Sequence, residues 1–120
     1  MILIIGGAYQ GKLDFAKDTF GITESDVFLC DSEQIDFSKR CIAKLEEFAR
    51  QHPDPIPYFE SHRAEWEHSI LICQDIFCGV VPMGAEKRAW RQRTARLCQY
   101  LAAEATHVSR IFCGLEQRLK

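Results

Sequence analysis

Apolar residues in this chain fall in short blocks separated by longer amphipathic stretches. The first block, Met1-Ile2-Leu3-Ile4-Ile5, is apolar throughout and runs into Gly6-Gly7. A run of this kind bounded by glycine predicts a strand over residues 2–6, buried on both faces. A helical pattern follows over residues 11–20, and Gly21 is placed to stop it. Val27-Phe28-Leu29-Cys30 is a second buried run, ending at Asp31. Over residues 37–51, Cys41, Ile42, Leu45, Phe48 and Ala49 share one helical face, and most of the charged residues, Lys44 and Glu46 among them, lie on the other. Asp36 or Ser38 is placed to cap that helix.

The segment His52-Pro53-Asp54-Pro55-Ile56-Pro57 ends it. Residues 53–68 show no clear period, with room for a short helix over 61–67. Ile70-Leu71-Ile72-Cys73 predicts a third buried strand, followed by a loop over 74–84. A long polar-rich helix over 85–105, a fourth strand over 108–113 and a short fifth over 115–119 complete the chain. Apolar strands separated by helices predict an α/β fold, with a mainly parallel sheet of four to five strands covered on both faces. Ligands in such sheets bind at the carboxyl ends of the strands. That edge would gather Gly6–Lys12, Asp31 and Gln74-Asp75.

Composition narrows the picture only slightly. The 120 residues make a single domain, 1–120, and 47% apolar with 27% charged residues is ordinary for a globular chain. A formal net charge of −2 argues against nucleic acid or an anionic membrane as partner. No apolar stretch reaches the ~18 residues of a membrane span. The first block has no basic residues before it and reads as a strand rather than a signal peptide, so a cytoplasmic location is expected. The six cysteines then read as reduced thiols, Cys30, Cys73 and Cys113 in or beside strands and Cys41 and Cys98 in helices. Cys73 and Cys78 form a C-x4-C pair with no second pair at zinc spacing, so structural zinc is not expected.

The candidate chemistry lies in the first turn. Gly6-Gly7-Ala8-Tyr9-Gln10-Gly11-Lys12 has the G-x-x-x-x-G-K spacing of a phosphate-binding P-loop. Glycines allow positive φ and bring bare N–H groups close to an anion. Lys12 adds a point charge, and the following helix aims its N-terminal N–H groups at the same place. The next position holds Leu13, where the pattern wants a Ser or Thr hydroxyl for Mg²⁺. That leaves Asp31 and Asp75 as candidate metal ligands, since Mg²⁺ prefers carboxylates and water. Tyr9 either stacks on a base or covers the loop. His62 and His68 read as surface groups, and Trp90 as a core or interface residue.

Two separated segments resemble the bifunctional adenosylcobinamide kinase / adenosylcobinamide-phosphate guanylyltransferase family. Residues 4–12 resemble its opening G-G-A-R-S-G-K-S loop. Ile70-Leu71-Ile72-Cys73-Gln74-Asp75-Ile76-Phe77-Cys78-Gly79-Val80-Val81-Pro82 looks like its V-T-N-E-V-G-x-G-I-V-P segment. The next helix, with Arg88, Trp90, Arg91, Arg96 and Gln99, is similar to its R-x-F-R-D-x-x-G-x-x-N-Q pattern. The resemblance covers residues 1–20 and 69–120. It implies a P-loop fold that binds ATP or GTP with Mg²⁺ and phosphorylates a cobinamide hydroxyl. By the same resemblance, Lys12 and Asp75 are candidate catalytic residues, and Arg88 and Arg91 would meet a substrate phosphate. Asp31 joins the catalytic candidates as the acid that ends a strand, where an NTPase holds Mg²⁺ through water. The chain departs from the pattern at Leu13, Phe77, Asp75, Gln92 and Cys98. It also lacks the H-x-x-x-R-P segment that carries a guanylylated histidine, which argues against guanylyl transfer. The alternative is an inactive relative that binds nucleotide, a corrinoid or a protein partner. Self-association is a further expectation, because so short a chain exposes sheet edge.

Overall fold

The computed structural model describes residues 1–77 and 83–120. In chain order the elements are β1 (Ile2–Gly6), α1 (Lys12–Phe20), β2 (Val27–Leu29), β3 (Cys41–Ala43), α2 (Leu45–Gln51), α3 (Pro55–Ser61), α4 (Arg63–Trp66), β4 (Ile70–Gln74), α5 (Ala85–Glu104), β5 (His107–Phe112) and β6 (Leu115–Arg118). The strands form one six-stranded sheet in the order β2-β3-β4-β1-β5-β6. Five strands run parallel, and β6 folds back antiparallel on β5. The apolar opening block therefore lies inside the sheet, Leu3 level with Leu71 on one side and Val108 on the other.

Burial on both faces explains why β1 is apolar at successive positions. Leu3 packs with Phe48, Trp66, Leu97 and Leu101 under α2 to α5. Ile4 points the other way, to Ala16 of α1, Ile72 and Ile111. Among the described residues no helix is long and apolar enough to cross a membrane.

Three expectations need correction. The sheet has six strands rather than four to five, because residues 37–51 are not one helix. Cys41–Ala43 is a strand between β2 and β4, and only Leu45–Gln51 is helical. Cys41 and Ile42 are fully buried and Ala43 nearly so, since this strand is covered on both faces and shows no alternation. Its apolar residues line up with those of α2 at helical spacing by coincidence. Lys44, at φ 60, breaks the chain direction between them. Asp36 caps no helix; its carboxylate accepts from the Ser38 amide in a turn. Second, β2 is an edge strand rather than a buried one, with Leu29 49% exposed. Third, residues 53–68 hold two short helices, with Pro55 and Pro57 in the first turn of α3, where a missing N–H costs nothing.

Candidate functional site

Strand β1 ends on a glycine for a steric reason. A Cβ at Gly6 would lie 2.6 Å from the Ile111 carbonyl oxygen on β5. The chain then turns through Tyr9 at φ 60 and Gly11 at φ 89 before α1 begins at Lys12. The Lys12 side chain doubles back across the turn, its ammonium donating to the Gly7 carbonyl at 2.6 Å.

The turn opens on a cavity of about 420 Å³ at the carboxyl ends of the strands, a volume within the range of small-molecule sites. Residues 9–14 form one wall. Leu29, Ala43, Ile72 and Gln74 supply the strand ends, and Lys44 and Glu46 the start of α2. Burial lowers the pKa of the Lys12 ammonium; the negative charges of Glu46 and Asp75 oppose that shift.

Glu46 and Lys44 are the cavity residues that the sequence pattern hid, because both were assigned to the polar face of a helix over 37–51. Glu46 is only 7% exposed. Its Oε1 accepts the Gln74 amide at 3.0 Å, and its backbone carbonyl accepts the Trp90 indole N–H at 2.7 Å. Trp90 thus holds the start of α2 in place, with the Arg50 guanidinium 5.3 Å over its ring. A second hidden feature is the hairpin turn between β5 and β6. Cys113 and Gly114 both have positive φ, as a two-residue hairpin of this hand requires. The Gly114 amide donates to the Gln10 carbonyl at 2.9 Å and the Cys113 amide to Gln10 Oε1 at 2.6 Å. The glycine loop is therefore tied to the far end of the chain.

The carboxylates expected at the site are placed differently. Asp31 is exposed and does not line the cavity. Asp75 is buried against the glycine turn without lining the cavity: its amide donates to the Gly6 carbonyl at 3.0 Å, its Oδ1 lies 3.8 Å from where a Cβ on Gly7 would be, and its Oδ2 lies 3.9 Å from Arg110 Nε. Among the described residues, no three His, Cys, Asp or Glu side chains are grouped to hold a metal ion.

Arg88 and Arg91 lie on α5 beside another hollow, lined also by Phe77 and Gln92 and sharing no residue with the first. Arg91 donates through Nε and Nη2 to the Phe77 carbonyl at 3.0 and 2.7 Å, and Arg88 donates to the Met83 carbonyl. The stretch between those anchors, including the Gly79-Val80-Val81-Pro82 part of the resemblance and Cys78, lies outside the described residues.

The histidines do not approach the cavity. His62 stacks on Phe37 at 5.3 Å with its Nδ1 2.7 Å from the Tyr58 carbonyl oxygen, and His52 Nδ1 accepts the Asp54 amide. None of the five described cysteines is in a disulfide. Burial pushes the thiols of Cys30 and Cys41 up to about 12 and about 11, so neither is a ready nucleophile. Cys41 is in a strand rather than a helix, and Cys113 is exposed at the hairpin turn. Compared with known proteins, the chain matches no family model and no curated protein.

Proposed function

We propose that this chain binds a nucleoside phosphate, ATP or GTP, in the cavity beside Gly6–Lys12. The observation that carries the reading is the glycine turn and its lysine opening directly on a cavity of about 420 Å³ at the carboxyl end of the central strand. Backbone N–H groups of residues 7–11 and the start of α1 would meet the phosphates, and Lys12 would exchange its bond to the Gly7 carbonyl for one to a phosphate oxygen. Tyr9, fully exposed at the mouth, offers a ring on which a base can stack.

The resemblance to the cobinamide kinase family extends this reading to phosphoryl transfer onto a cobinamide hydroxyl. Transfer would run in line, with the loop N–H groups and Lys12 stabilising charge on the moving group. Glu46, a buried carboxylate of the cavity, would take the hydroxyl proton. The Mg²⁺ that this family implies does not suit the residues present. Leu13 stands at the hydroxyl position, Asp31 and Asp75 do not line the cavity, and of the two carboxylates that do, Glu46 has an oxygen on the Gln74 amide and Asp14 is exposed. A second reading, a non-catalytic relative that binds nucleotide, a corrinoid or a protein partner, is favoured by Leu13 in particular.

The test is calorimetry with ATP and GTP on the parent and Lys12→Ala proteins, followed by a phosphate-transfer assay with cobinamide. Binding by the parent that is lost in the variant supports the loop as the phosphate site. Equal binding by both proteins, or none by either, removes the loop from consideration. Binding without transfer leaves the second reading.

A further inference from the structure

We infer that this cavity takes its phosphate-bearing ligand without a divalent cation, Lys44 supplying beside Lys12 the positive charge that a metal would otherwise bring. The inference rests on the phosphate-site reading above and goes beyond it in naming how the ligand's charge is met.

The argument starts from what each group near the loop already does. A magnesium site in such a cavity needs hard oxygen donors facing the phosphates, typically one or two carboxylates and waters. The first-turn position that would offer a hydroxyl is Leu13, an apolar side chain on the cavity wall. Asp75 is buried against Gly7 and does not line the cavity, its Oδ2 3.9 Å from Arg110 Nε. Glu46 has one oxygen on the Gln74 amide, and it is first among the anions that favour the charged form of Lys12. Drawing Glu46 onto a metal would take from Lys12 the anion that helps keep it protonated. Asp14 remains, an exposed carboxylate of the cavity wall on the first turn of α1, and among the described residues no third metal-ligating side chain is grouped with it and Glu46.

Positive charge, by contrast, is already in place. Lys44, an exposed side chain, lines the same cavity at the junction of β3 and α2. It adopts φ 60, the left-handed backbone region, where the chain turns from β3 into α2. Lys12 and Lys44 offset the two carboxylates of the lining, Glu46 and Asp14, so the cavity has no net negative charge to draw a dication, while a polyphosphate meets two cations there. Such a ligand carries three or four charges of its own, and Lys12, Lys44 and the loop N–H groups form a set that can bind it.

Inorganic tripolyphosphate is the probe, titrated calorimetrically in EDTA and again in excess Mg²⁺. The parent is expected to bind in EDTA at least as tightly as in Mg²⁺. Lys44→Ala is expected to weaken binding about tenfold or more, as for loss of a charged hydrogen bond, while Lys44→Arg keeps most of it. Circular dichroism on each variant checks that it folds; Lys44→Gly, which relieves the positive φ, serves where Lys44→Ala does not. Binding that appears only with Mg²⁺, or is untouched by loss of the Lys44 ammonium, overturns the inference and leaves the loop as a phosphate site. No binding under either condition overturns the phosphate-site reading itself, and the inference with it.

Discussion

Lys12 is the residue on which the site's chemistry turns, and its charge is under tension. Burial draws its pKa below the ordinary 10.5, while Glu46 and Asp75 work to hold the proton on. Only the ammonium form attracts phosphate. Tripolyphosphate affinity should therefore fall as pH climbs from neutral toward 10.5, starting earlier than for an exposed lysine. Lys12→Arg, whose guanidinium stays charged throughout, should give a much flatter profile. Parallel slopes for the two proteins would remove Lys12 from the binding step. The same shift has a stability consequence of defined sign. Between the lowered folded value and 10.5 the unfolded chain binds the proton more tightly than the folded one, so stability attributable to Lys12 rises with pH across that window. Urea unfolding at stepped pH should show the parent gaining on Lys12→Met there. Lys12 and its loop were legible in the sequence because glycine spacing and a following lysine are local. Glu46 and Lys44 were not, because their place in the cavity depends on where a strand ends.

At the scale of elements, β3 shows how this misreading arises. Three consecutive buried residues carry no period of their own, and α2 begins two residues after them, so the helical spacing of α2 absorbed them. The strand–loop–helix of residues 2–20, whose signals are all within a few residues, was read nearly to its boundaries. The tie between the loop and the β5–β6 hairpin was invisible for a different reason: the Cys113-to-Gln10 bond spans 103 positions. Its role can be separated from simple stability. Gln10→Ala removes the side-chain acceptor but leaves the backbone bond from Gly114, and the Cys113 amide is exposed enough to turn to water. Tripolyphosphate affinity should drop several-fold with a loss of only about 1 kcal/mol in unfolding free energy. An unchanged affinity would make the hairpin contact merely structural. Gly6→Ala is the opposite case. Its Cβ would press on a backbone oxygen of β5 that has no rotamer to escape by, and the expected cost is about 1–3 kcal/mol by urea unfolding. A cost below about 0.5 kcal/mol would mean that β1 and β5 separate more easily than their pairing suggests.

For the molecule as a whole, the cavity's position decides what a bound ligand does to stability. Its wall takes residues from the loop after β1, from α1, from the ends of β2, β3 and β4, and from the start of α2. These elements belong to both faces of the sheet, since α1 packs with Ile4 and α2 with Leu3. None can leave its place without dismantling the site, so a ligand there binds the folded chain and not the unfolded one. At a hundred times its dissociation constant it adds about 2.7 kcal/mol. For a chain of 120 residues that corresponds to a rise of about 10 °C in Tm. Scanning calorimetry with tripolyphosphate should show this rise in the parent as a single shifted transition, and no shift in Lys12→Ala at the same ligand concentration. Two transitions, only one of them moving, would mean that the layers on either side of the sheet unfold separately. The strand order argues against that outcome. β1 and β4, which carry the loop and Gln74, lie side by side in the sheet interior, and Leu3 and Ile4 are adjacent residues facing its two opposite cores. A ligand that holds the carboxyl ends of these strands therefore stabilises both layers together.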